Sequence, residues 1–142
     1  MTGIFVNSIL LTLASQPSVS AQSSGSPINR WDPTADLTAA RSAACAVVLS
    51  AGRLLVAGGI GDSGAVSSVD IFGTDGSFSA GPPMFLARAR AGCVTLAYGR
   101  VLMAGGDDGR GSLNSAEIFD PATNKWQLTG SLAVAREGHQ MP

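Results

Sequence analysis

Two short patterns in this sequence could carry chemistry, and each asks for a partner. Gly59-Ile60-Gly61-Asp62-Ser63-Gly64 has the G-x-G-x-x-G spacing of a dinucleotide-binding turn. That chemistry needs a helix whose N-terminus holds the pyrophosphate, yet strand-like sequence resumes at Ser67. The corresponding stretch Gly106-Asp107-Asp108-Gly109-Arg110-Gly111 lacks the middle glycine. Gly61-Asp62-Ser63-Gly64 also imitates the turn of a serine-protease nucleophile, which needs a histidine base. His139 is the sole histidine and stands near the far end. Neither pattern supports a catalytic or cofactor-binding residue, and none is expected from this chain.

A third set of residues recurs instead of standing alone. Arg41, Arg88 and Arg136 appear once per repeating unit, and Asp70 and Glu117 recur 47 positions apart. In a chain with only 13% charged residues, this recurrence points to a basic–acidic pair that ties structural units together. Such a pair specifies register more than it adds stability. A ligand site would not need one copy in every unit.

The elements that position these charges repeat as well. Leu54-Leu55-Val56-Ala57-Gly58-Gly59 returns as Val101-Leu102-Met103-Ala104-Gly105-Gly106, and Ser68-Val69-Asp70-Ile71-Phe72 as Ser115-Ala116-Glu117-Ile118-Phe119, both 47 residues on. Trp31, Phe78 and Trp126 follow at intervals of 47 and 48. The segments Leu37–Arg41, Met84–Arg88 and Leu132–Arg136 are three copies of one lead-in. Units of this length mean an array of small identical folds. Four short strands are expected in each: Ala44–Leu49 with Gly92–Ala97, Arg53–Ala57 with Arg100–Ala104, Ser67–Phe72 with Ser115–Phe119, and strands centred on Phe78 and Trp126. Turn residues separate them at Ala51-Gly52, Gly73 to Gly76, Gly81-Pro82-Pro83 and Asp120-Pro121.

Runs such as Leu54-Leu55-Val56-Ala57 are apolar on both sides and must be covered on both faces. No stretch after Arg30 is long enough to supply covering helices, so neighbouring sheets must cover one another. Four-stranded sheets stacked around an axis make a β-propeller. The paired glycines suit a strand end where crowding or positive φ excludes a Cβ.

At these residues the chain resembles the kelch repeat. The features that carry the resemblance are Gly58-Gly59 with Phe72 and Phe78, and Gly105-Gly106 with Phe119 and Trp126; Trp31 precedes the first unit. Ser115 to Trp126 resembles bacterial members most closely, while Gly73-Thr74 and Phe78 in the first unit depart from the family pattern. The resemblance implies an all-β fold, a partial propeller of about two four-stranded antiparallel blades plus the start of a third. Units are expected at 31–77, 78–125 and 126–142, within a repeat region 29–142. Some kelch-like propellers, resembling galactose oxidase, are copper enzymes. That site needs several His and Tyr ligands, and this chain has one of each, His139 and Tyr98. His139 falls where the family often places a histidine, with Ala44 and Ala91 as its counterparts, and a structural role is expected.

The bulk properties bound the rest. A net charge of −1 gives no electrostatic reason to expect nucleic acid as partner. Cys45 and Cys93 form no metal-site spacing. They stand one position off the repeat, so their side chains should not point the same way, and two free buried thiols are expected. Ile4 to Leu13 is apolar but too short to span a bilayer. With Val19-Ser20-Ala21-Gln22 after it, residues 1–28 read as an export signal and Ser-rich linker, without the usual basic start. This implies an extracellular or periplasmic location, or a cytoplasmic one if the start is misassigned. A closed propeller takes about four to eight blades, so this chain is expected to be a fragment, or to need self-association to close a ring. The expected function is a non-catalytic scaffold for a protein or carbohydrate ligand. The alternative is a piece of a secreted enzyme, a copper oxidase or carbohydrate-active, with its catalytic residues elsewhere. Binding specificity is expected in the loops after the double glycines, at Asp62, Asp107, Asp108 and Arg110.

Overall fold

The structure is a computed structural model and describes residues 34–139. Trp31 and the expected signal and linker of residues 1–28 lie outside the described residues. Ten strands follow in order: β1 (Cys45–Val48), β2 (Leu54–Ala57), β3 (Ile60–Gly61), β4 (Gly64–Ala65), β5 (Val69–Phe72), β6 (Phe78–Ala80), β7 (Gly92–Thr95), β8 (Val101–Ala104), β9 (Ala116–Asp120) and β10 (Lys125–Thr129). Two four-stranded antiparallel sheets result, ordered β1-β2-β5-β6 and β7-β8-β9-β10, with β3-β4 as a separate small hairpin. The fold is all-β, and the two sheets are propeller blades. Among the described residues no helix is long and apolar enough to cross a membrane.

Register shows how the blades meet. Residues directly opposite across paired strands share a face, and alternate residues return to it. In the first blade Cys45 pairs with Ala57, which pairs with Val69, so Cys45, Leu55, Ala57 and Val69 lie on one face. In the second, Thr95–Val101–Phe119–Trp126 and Cys93–Met103–Glu117–Leu128 form rows on one face. Those two faces close on each other. Cys45, Leu55, Ala57, Val69, Val101, Met103, Phe119 and Trp126 belong to a single buried cluster. All four residues of β2 are buried, as an apolar strand between two layers must be. Phe119 and Trp126 stack at 5.2 Å, and the Trp126 indole N–H donates to Pro82 O at 2.9 Å on the linker between blades.

Cys45 and Cys93 are not the two free thiols expected from their spacing. Cys45 and Cys93 form a disulfide, with Cα atoms 6.3 Å apart. By register Cys45 corresponds to Gly92 and Cys93 to Ala46, because Cys45 pairs with Ala57 and Gly92 with Ala104. The two thiols do occupy opposite faces of their own blades. In stacked sheets, however, opposite faces of neighbours are the ones that meet. The expected pairing of Ala44 with Gly92 in the first strands was also one residue out of register. The extra residue of the second unit lies later, in the turn between Phe119 and Trp126.

The inner strands β1 and β7 run side by side. At their leading ends a short ladder links successive units: Arg90 N donates to Ala43 O at 3.0 Å, and Gly138 N to Arg90 O at 2.8 Å. Ala43, Arg90 and Gly138 all adopt left-handed backbone, at φ 54°, 55° and 64°.

Candidate functional site

Arg88 and Glu117 meet at the junction between the two blades, and Arg41 and Asp70 hold the equivalent place on the opposite face of the first blade. Arg41 and Arg88 each turn the guanidinium into the sheet that follows. Arg41 donates to Asp70 Oδ2 at 3.1 Å, to Ser68 O at 2.8 Å and to Gly58 O at 3.3 Å. Arg88 repeats the arrangement with Glu117 Oε1 at 2.9 Å, Gly105 O at 2.8 Å and Ser115 O at 3.0 Å. Both pairs are buried, with Asp70, Arg88 and Glu117 all at 0% exposure, so each ion needs its partner. The carboxylates are completed from the lead-ins: Thr38 donates its amide and hydroxyl to Asp70, and the amides of Phe85 and Leu86 donate to Glu117 at 2.7 and 3.1 Å. Burial pulls the Arg41 pKa below its usual value, and the nearby Asp70 carboxylate opposes that shift.

The double glycines receive the backbone of the next lead-in. Gly59 N donates to Arg88 O at 2.9 Å, and Gly106 N to Arg136 O at 2.8 Å. Gly58 and Gly105 each sit at φ 68°, where an added Cβ would collide with the carbonyl oxygen of Arg88 or Arg136. Arg88 therefore joins both blades, its main chain bonded to the first and its side chain to the second. Gly58→Ala is expected to cost about 2–3 kcal/mol, the left-handed penalty plus overpacking. Gly52 has a similar φ of 74° but nothing within 4 Å, so Gly52→Ala should cost only about 1 kcal/mol. Equal losses for the two variants in urea unfolding would remove the steric argument.

The loops after the glycines lie at one end of the blades and differ between units. In the first, Asp62 is exposed at the tip of the β3-β4 hairpin. In the second, Asp108 Oδ1 accepts from Arg110 N at 2.8 Å and Gly111 N at 3.2 Å, and Asp107 Oδ1 accepts from Gly109 N. These two carboxylates fold their own turn, which leaves Asp62 and Arg110 as the outward-facing candidates. An exposed network, unmarked in the sequence, lies beside them: Arg90 bonds Glu137 at 3.1 Å and approaches Asp107 at 3.7 Å. Thr38 likewise carries no sequence signal, because its counterparts Phe85 and Ala133 share no hydroxyl. Among the described residues no group of His, Cys, Asp or Glu could hold a metal ion.

Stacked four-stranded blades pinned by a recurrent buried arginine define a β-propeller of repeated units. Residues 87–132, which hold the second blade, match the family model of the Kelch motif. No curated protein matches the chain.

Proposed function

We propose that this chain is a segment of a larger kelch propeller that serves as a binding scaffold, with no catalysis of its own. The observation that carries the reading is the contrast between a repeated, fully buried junction and an unlike pair of loops on one rim. A rigid frame with variable loops is how repeat proteins place specificity. The ligand is a protein or a carbohydrate engaged at Asp62 and Arg110. The Cys45–Cys93 bridge supports an exported location, since such bonds persist in oxidising compartments.

Glycan and peptide arrays probed with the purified chain test this. A ligand should emerge whose binding is lost in Asp62→Lys or Arg110→Glu. Both are surface changes expected to alter stability by no more than about 0.5 kcal/mol. Binding indifferent to both substitutions would reject the rim as the site.

A further inference from the structure

The lead-in between the two blades carries apolar bulk where the first copy does not. Phe85 is 60% exposed and Leu86 40%, and Leu128 on β10 is 59% exposed. Their counterparts in the first unit are Thr38, Ala39 and Ala80, the last because Asp70 pairs with Ala80 as Glu117 pairs with Leu128. All three large residues lie around one buried carboxylate. Leu128 stands opposite Glu117 in register, and the Phe85 and Leu86 amides donate to that same side chain. Trp126, two residues before Leu128 on the same face, is buried in the core the blades share, so the patch continues that core to the molecular edge. Contiguous exposed apolar side chains of this kind mark interaction sites.

The patch borders an open strand. β10 is the outermost strand of its sheet, and among the described residues no backbone group outside β9 bonds it. Edge strands are ordinarily blunted by shortness, proline or charge. The first blade's edge, β6, has three residues and runs into Gly81-Pro82-Pro83. β10 has five, without proline, and Lys125 is its single charge. No residue from 81 to 87 is charged either. Lys125 makes no ion pair among the described residues, although Asp120 stands opposite it; Asp120 Oδ1 accepts from Ala122 N at 2.9 Å.

We infer that this shoulder, the free edge of β10 with Leu128, Phe85 and Leu86, docks an extended segment of a partner protein, which joins the second sheet as a fifth strand. In such strand addition main-chain hydrogen bonds supply affinity and alternate side chains supply specificity. Charge selects the occupant. The surface offers a lone cation at one end of an otherwise uncharged strip, so the segment is apolar with a carboxylate at the end that reaches Lys125. A second copy of β10, Lys125-Trp126-Gln127-Leu128-Thr129, brings no acid to that place.

Short peptides of alternating threonine and leucine, with glutamate at one end or the other, are the probe. One of the two should bind the full chain in a fluorescence-anisotropy titration, and Leu128→Thr or Phe85→Ser should weaken it about tenfold or more. Both variants should melt as the parent does, since both side chains are exposed. Lys125→Glu should transfer the preference to a lysine-ended peptide. Strand addition uses only every other N–H, so N-methylating one alternate set of peptide amides should abolish binding and methylating the other should leave it intact. That comparison tests the strand without altering the protein; equal loss from both sets, or from neither, overturns the proposal. No binding of either peptide, or binding indifferent to Leu128→Thr and Phe85→Ser, overturns it as well. A dimer of the chain alone in light scattering, dissolved by Leu128→Thr, overturns it in favour of a second copy. Asp62→Lys and Arg110→Glu should leave peptide binding unchanged, so the shoulder and the rim loops can fail separately; loss in those variants would move the peptide to the rim.

Discussion

Arg88→Ala is expected to lower the unfolding free energy by about 3–5 kcal/mol, the usual cost of breaking a buried pair by removing one partner. The loss comes chiefly from what is left behind. Glu117 would stay in the sheet with only the Phe85 and Leu86 amides, and the Gly105 carbonyl would lose its donor, while Ser115 O would keep only the Gly105 amide. Domains are stable by about 5–15 kcal/mol in all, so this change takes a large share. Urea unfolding of the oxidised chain measures it. Glu117→Gln beside Arg88→Ala should recover part of the loss, because a neutral amide is cheaper to bury than an orphaned carboxylate. Unchanged stability in Arg88→Ala with a lost rim ligand would move the arginine from frame to binding site.

Reduction of the Cys45–Cys93 bond should cost about 4 kcal/mol, by loop-closure entropy for a loop of this length. The bridge spans 48 residues of chain, which includes most of the first blade and the whole linker. In the unfolded state it therefore removes much freedom, and in the folded state it holds the two inner strands together. The unfolding midpoint should fall with reductant and fall equally in Cys45→Ala, which should show no further response to reductant. A midpoint indifferent to reductant would show that apolar stacking alone secures the two blades.

The frame was legible because its causes are local and recur. An apolar strand ending in two glycines says that something passes close, and the same text 47 residues on says that it passes twice. One arginine and one acid per unit told of a pair, and Arg41–Asp70 and Arg88–Glu117 are those pairs. The cysteines were misread for a physical reason. Alternation along a strand fixes which face a side chain takes, but only the packing of separate sheets decides which faces meet. The rim was half legible. Asp107 and Asp108 look like ligand groups in sequence, but their carboxylates turn inward to cap backbone amides. Short side chains in a glycine-rich turn have that alternative always within reach.

The ladder through Ala43, Arg90 and Gly138 has a geometric consequence. Two of its three joints use residues with a Cβ in a backbone state that disfavours them, and the second and third each bond to the one before. These two bonds tie the entry of each unit to the entry of the one before it, so that the start of every wedge is fixed by its predecessor's backbone.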